Sequence, residues 1–171
     1  IDMRNNIVTI SRGGTGQKAC VYISSATGNI CNNNVYFMNS ATGISNYVGF
    51  FTSGYTTMSA WQAANASAWD NASIHANPVY VSPGSGNFTP NFTAVDGMGA
   101  NVGITSDILG TLRTATPDPG CYEFTPGPCI APPNPGIPFS SAAAVCSGQN
   151  FTLDLSGYTS GIGQTYQWFF S

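Results

Sequence analysis

Apolar side chains in the first third of the chain fall in short runs. They are Asn5-Asn6-Ile7-Val8-Thr9-Ile10, Ala19-Cys20-Val21-Tyr22-Ile23, Asn34-Val35-Tyr36-Phe37-Met38 and Tyr47-Val48-Gly49-Phe50-Phe51. Each is rich in β-branched and aromatic residues and bounded by Asn, Gly or Ser, the pattern of short strands between turns. Two connecting stretches, Ser24-Ser25-Ala26-Thr27-Gly28-Asn29-Ile30 and Asn39-Ser40-Ala41-Thr42-Gly43-Ile44, are near copies and point to an internal repeat. A β-solenoid needs such strands, with apolar residues turned inward and Asn side chains pairing up the stack at the corners. Hairpins in a sandwich give the same local pattern, so periodicity leaves both open.

One helix interrupts the strands. Thr57 is a suitable N-cap, and Trp61, Ala64 and Ala68 fall on one helical stripe in an Ala-rich segment that covers the side or end of the stack. Pro78 and Pro83 bracket Val79-Tyr80-Val81, an expected edge strand. Residues 84–120 are punctuated by Gly and Pro and read as loops. Six prolines between 125 and 139 stiffen a linker. Beyond it, 151–155 and 166–169 alternate around a Gly-rich turn, and Trp168 on the second run reads as the core Trp of a β-sandwich that begins at 140. The expected organisation is therefore 1–124, a linker at 125–139, and 140–171.

Composition narrows the function. Charged residues make up 6% of the 171 residues, against about 25% in an average soluble domain, whereas the hydrophobic fraction is 42%. Asn, Ser, Thr and Gly take the place of charge with 71 residues. Four scattered basic residues cannot hold a phosphate backbone, so nucleic-acid binding is set aside, and no apolar run is long enough for a membrane-spanning helix. The five cysteines (Cys20, Cys31, Cys121, Cys129 and Cys146) include no CxxC pair and accompany a single His75, which speaks against zinc. The polar, Lys-poor composition favours an oxidising exterior and a disulfide role for them. Cys20 with Cys31 and Cys121 with Cys129 are the short-range pairings. The odd number, with the strand-like run at 165–171, reads as part of a longer chain in which Cys146 pairs beyond Ser171.

Met58-Ser59-Ala60-Trp61-Gln62-Ala63-Ala64, Asp70-Asn71-Ala72-Ser73-Ile74 and Asn77-Pro78-Val79-Tyr80 resemble the closing coils of secreted bacterial right-handed parallel β-helix proteins. So do Thr93-Ala94-Val95-Asp96-Gly97, Thr105-Ser106-Asp107-Ile108-Leu109-Gly110, Arg113 and Pro117-Asp118-Pro119-Gly120-Cys121-Tyr122-Glu123-Phe124. The chain departs from that family's pattern at Thr93, Leu109, Pro119 and Cys121. From Cys129 onward it resembles the start of the immunoglobulin-like modules of giant Bacteroidota surface proteins, through Val145-Cys146-Ser147-Gly148, Phe151-Thr152-Leu153 and Tyr166-Gln167-Trp168. These proteins are similar to the adhesins of gliding flavobacteria and to substrates of the type 9 secretion system. The resemblance implies an all-β chain: the last coils of a right-handed parallel β-helix, a looped cap with one short helix, then a partial Ig-like sandwich.

Candidate chemistry is sparse. A polysaccharide lyase needs a base and cation-binding carboxylates, and a hydrolase needs two carboxylates about 5 to 10 Å apart. Residues 1–58 offer Asp2 against Arg4, Arg12 and Lys18, so no catalytic residues are assigned. Asp96, Asp107, Arg113, Asp118 and Glu123 form a cluster expected to be a structural ion network around Arg113, with structural calcium as the alternative and no other cofactor or metal. His75 reads as an ordinary loop histidine. Trp61, Trp69 and Tyr55 are the candidates for stacking on sugars, although such stripes more often form core. The expectation is a non-enzymatic stalk or display segment of an extracellular adhesin on a Gram-negative cell surface. Its partners would be a polysaccharide or solid surface and the bacterial export or gliding machinery. The alternative is the C-terminal end of a secreted lyase or hydrolase whose active site lies upstream.

Overall fold

Backbone pairing between distant strands organises the N-terminal part of this computed structural model, which describes residues 1–40, 42–127 and 136–158. Strands β1 (Asp2–Arg4), β2 (Ile7–Ile10) and β3 (Lys18–Tyr22) each pair in parallel with a later strand: β4 (Ile30–Asn32), β5 (Val35–Met38) and β6 (Asn46–Phe51). The registers Asp2↔Ile30, Ile7↔Val35 and Lys18↔Asn46 share one offset of 28 residues. Two successive turns of chain are thus stacked rung on rung. After β7 (Ser53–Tyr55), which folds back antiparallel on β6, helix α1 (Met58–Gln62) intervenes. A third rung then begins at β8 (Ile74–His75), paired in parallel with β5. His75 prolongs that ladder, since its Nε2 accepts from the Met38 N–H at 3.2 Å.

Asparagine holds the corners. Asn5 and Asn33, one rung apart, are both in the left-handed region (φ 59 and 55), which Asn tolerates better than most residues. The Asn5 side chain exchanges two hydrogen bonds with the Ala100 backbone, and Asn33 donates to the Met98 carbonyl, so segment 98–100 clamps both corners. The next residues form a side-chain ladder: Asn6 donates to Asn34 Oδ1 at 3.1 Å, and Ser73 Oγ accepts from the Asn34 N–H at 2.8 Å.

The near-copy segments around Ser25 and Ser40 are not the structural repeat. They lie 15 residues apart in sequence and serve as one turn device used at two places. In each, Ser Oγ donates to a Thr carbonyl and an Asn Nδ2 donates back into the turn: Asn29 to Ser25 and Thr27, Asn46 to Thr42 and Gly43.

The core gathers Val21, Ile23, Cys31, Tyr36, Val48, Trp61, Ala64 and Trp69. Thr57 caps α1 as expected, its Oγ1 accepting from the Ala60 N–H at 3.2 Å. The helix is shorter than the Ala-rich segment predicts. Asn65, Ala66 and Ser67 turn left-handed, so Ala64 is buried while Ala68 is exposed. Trp61 lies against Gly49 so closely that a Cβ there would stand 2.3 Å from the ring.

Strands dominate and helix is scarce, so the all-β expectation holds. Two local expectations fail. Residues 79–81 form no strand: Val79 has φ 50, and 81–89 close as a loop through hydrogen bonds from Val81 to Thr89 and a bridge between Ser82 and Asn87. The end of the Pro-rich stretch is strand rather than linker. There β9 (Ile137–Ser140) pairs antiparallel with β10 (Leu153–Ser156). The expected strand at 166–169, with Trp168, lies outside the described residues. The chain divides into two compact units, Ile1–Pro126 and Gly127–Ser171. Among the described residues no helix is long and apolar enough to cross a membrane.

The contact of Gly49 with Trp61 yields a sharp expectation. Because Trp61 is fully buried, its ring cannot retreat, and Gly49→Ala should cost about 2 kcal/mol or more, lowering the thermal midpoint by several degrees. Gly16→Ala, where the added methyl meets nothing, should leave it unchanged. Equal melting of the two variants would refute the packing argument.

Candidate functional site

The charged residue most deeply embedded in the fold is one that composition alone does not single out. Asp70, left-handed at φ 56 and 1% exposed, follows Trp69 at the start of the third rung. Its carboxylate accepts from Trp61 Nε1 at 2.8 Å, Asn34 Nδ2 at 3.0 Å, the Tyr36 hydroxyl at 3.1 and 3.2 Å, and Ser73 Oγ at 2.5 Å. Each of the four donors is neutral. Burial, then the nearby Asp70 charge, pushes the Tyr36 hydroxyl far above its ordinary range, so it stays a donor at any physiological pH. Gln62 Nε2 adds bonds to the Asp70 and Ser73 carbonyls, tying α1 to the third rung.

This hub corrects the expected sugar platform. Trp61 and Trp69 are buried and stack on each other at 5.6 Å, and the Tyr55 ring meets Trp61 edge-on at 5.7 Å. Phe51 closes on Trp69 at 5.0 Å. Neither the Trp61 nor the Trp69 face is open to a ligand, because both rings fill the space between β6 and the third rung.

Lys18, on β3, is 2% exposed and, among the described residues, has no carboxylate beside it. Its Nζ donates to the Gly14, Gly16 and Thr42 carbonyls and to Asn46 Oδ1, at 2.7 to 3.3 Å. The ammonium therefore pins the turns of two rungs together. Arg4 pairs with Asp2, and Arg12 donates to the Gln17 carbonyl.

The structure brings four of the five clustered charges into one clasp. Arg113 Nη1 pairs with Glu123 Oε1 at 2.7 Å and also donates to the Asp118 carbonyl, while Nη2 donates to Gly120 O. The Asp118 and Asp107 carboxylates face backbone rather than the guanidinium. Asp118 accepts from the Gly97 and Phe124 N–H groups, and Asp107 accepts from Leu109, Thr111 and Glu123. Each aspartate thus replaces missing turn hydrogen bonds and draws separate loop segments together. Asp96 is exposed on the rim of the same cleft, about 330 Å³, which Asp118 and Glu123 also line. Among the described residues no group of three or more His, Cys, Asp or Glu side chains is placed to hold a metal ion.

Environment separates the two aspartates. The Glu123 N–H, then those of Thr111 and Leu109, hold Asp107 below its ordinary 3.8 against the opposing effect of desolvation. Burial pushes Asp118 above 3.8, with repulsion from Glu123 and Asp96 adding to the rise and two backbone N–H bonds resisting it.

Cys20, Cys31, Cys121 and Cys146 are free thiols, and Cys129 lies outside the described residues. The expected Cys20–Cys31 pairing does not form: Cys20 on β3 and Cys31 on β4 are both free thiols. Burial pushes both thiols up to about 11, which makes them unreactive core residues. Compared with protein-family models, curated proteins and solved structures, the chain matches none.

Asp70→Asn turns one acceptor oxygen into an NH2 group, which must face either Trp61 Nε1 or Asn34 Nδ2, both able only to donate, so it should cost about 2–4 kcal/mol and lower the thermal midpoint accordingly. Unaltered melting would show that the hub is dispensable. Stability should also depend on acid through the clasp. A carboxylate lowered in the folded state stabilises above its unfolded value and loses this contribution as pH falls through the folded one, so Asp107 weakens the fold below about pH 3.8. Asp118, raised, acts with the opposite sign: its contribution is complete below 3.8 and declines as pH rises through its folded value. Denaturation midpoints measured against pH should therefore fall less steeply in acid for Asp107→Asn than for the wild type. Superimposable profiles would exclude Asp107.

Proposed function

We propose that this chain is a non-catalytic display segment of a large extracellular surface protein: the final coils and cap of a right-handed parallel β-helix followed by the beginning of an Ig-like sandwich. The observation that carries this reading is the common 28-residue offset of three parallel ladders. A stack closed by long-range backbone pairing, with corner asparagines bonded from rung to rung, is a rigid spacer. The charged groups that could do chemistry are engaged internally: Lys18 by carbonyls, Asp70 by four donors, and Asp107 and Asp118 by backbone N–H groups. The surface left outside is rich in amide and hydroxyl groups. In this reading the chain is exported to the surface of a Gram-negative cell, in a protein of the kind that gliding bacteria carry, and adheres to polysaccharide or solid surfaces.

Uncharged contacts are insensitive to salt, whereas ionic ones weaken as the screening length falls from about 10 Å at 0.1 M to about 3 Å at 1 M. Adhesion of the full chain to cellulose film or glass, followed by quartz microbalance, should therefore persist across that range. Incubation with pectin or alginate should release no unsaturated oligosaccharide. Desorption by salt would overturn the adhesive reading, and product release would overturn the non-catalytic one.

A further inference from the structure

A second cleft, of about 450 Å³, lies beside the first rung, with Asn5, Asn6 and Ile7 on one side and Tyr80, Phe88 and Tyr122 among its other lining residues. This volume falls within the usual range for small-ligand sites. We infer that it binds a neutral sugar chain, with Phe88 and Tyr80 as the stacking wall and Tyr122 and Asn6 as polar contacts. The inference rests on the display reading, for which it names the surface and the ligand class.

The argument starts from the rings. The large aromatic side chains near the stack's interior, Tyr36, Trp61 and Trp69, are buried, but Phe88 is 51% exposed. It stands on the closed loop 81–89, held by the Val81-to-Thr89 bond at 3.0 Å and the Ser82–Asn87 bridge. Its ring meets Tyr80 at 5.4 Å and 86°, and the Tyr80 hydroxyl shares a hydrogen bond of 3.1 Å with Thr9 Oγ1 on β2. The wall is therefore set in place before any ligand arrives, which reduces the ordering cost of binding.

The lining determines the class of ligand. None of its residues carries a charge, so an ionised ligand would lose hydration without gaining a counter-charge. A purely apolar ligand would leave the polar groups unpaired. Asn6 uses its Nδ2 on Arg4 O and Asn34 Oδ1, and among the described residues no donor reaches its own Oδ1, nor does any partner reach the Tyr122 hydroxyl. A pyranose offers C–H faces to aromatic rings and a rim of hydroxyls to such groups, so a neutral sugar satisfies both requirements.

Cys121 supplies the test. It is a free, exposed thiol in the cleft's lining, while exposed Cys146 in the other unit serves as an internal control. On the full chain, a neutral cello-oligosaccharide should slow alkylation of Cys121 and leave Cys146 unaffected, as read by peptide mass. An oligogalacturonate of equal length should protect much less. Phe88→Ala, at a half-exposed position, should keep the wild-type melting midpoint and weaken protection roughly tenfold. Equal protection by the charged oligomer, no protection by the neutral one, or undiminished protection in Phe88→Ala would overturn the assignment. Adhesion of the same samples to cellulose film separates the two readings. Salt-resistant adhesion without Cys121 protection rejects this cleft and leaves the display function standing, whereas salt-sensitive adhesion rejects that function itself.

Discussion

Parallel pairing at a fixed offset is the constraint on which everything else in the first unit depends. Once β1, β2 and β3 are hydrogen-bonded to strands 28 residues on, the corners of the first rung must fall opposite those of the second. Asn5 and Asn33 meet that demand with the same left-handed backbone. The third rung breaks the count, because β8 follows β5 by 39 residues. The surplus is placed outside the ladder as α1 and the turn after it. Three consecutive left-handed residues, Asn65, Ala66 and Ser67, bring the chain back. Such a turn is costly for residues with side chains and is held by Asn65 bonding to Ala26 and Asn71 bonding to Ser67.

The low charge has a structural counterpart. Two of the chain's few charged side chains, Lys18 and Asp70, are buried in different places, each solvated by neutral dipoles. Carbonyl oxygens surround the ammonium, and hydroxyl, amide and indole groups surround the carboxylate. A buried charge without such partners would be severely destabilising, whereas a fully bonded one specifies a single arrangement of the segments that meet there. Arg113, paired with Glu123 and bonded to two carbonyls through Nη1 and Nη2, ties the loops at 107–124 together, although its buried Nε has no partner among the described residues.

Much of the strand content was legible because a run such as Val35-Tyr36-Phe37-Met38 is β-forming whatever lies next to it. The Thr57 cap was legible for a similar reason, since its hydrogen bond spans three residues. Five strands escaped: β1, β4 and β8 are two or three residues long and exist only through partners far along the chain, β7 is three residues folded back on β6, and β9 begins within the Pro-rich stretch. The repeated turns misled because they share local chemistry at a spacing unrelated to the ladder. Asp70 falls in the stretch 70–74 that resembles a closing coil, but its role as acceptor for Trp61, Tyr36, Asn34 and Ser73 is not visible in sequence, since those donors come from three different stretches.

What the amino-acid sequence determined by itself is the chain's local vocabulary: short strands, Asn- and Gly-bearing turns, one capped helix, and a surface almost without charge. These follow from propensities and hydrogen bonds that act over a few residues. Tertiary structure decided which aromatic rings face water. Trp61 became core because Gly49 and the Asp70 carboxylate receive it, Trp69 because it packs between Trp61 and Phe51, and Phe88 became surface because its loop closes on itself. It also decided that Asp107 and Asp118 cap backbone while Glu123 meets Arg113. Burial and pairing of this kind depend on residues that only the register of the stack and the closure of the loops bring within reach.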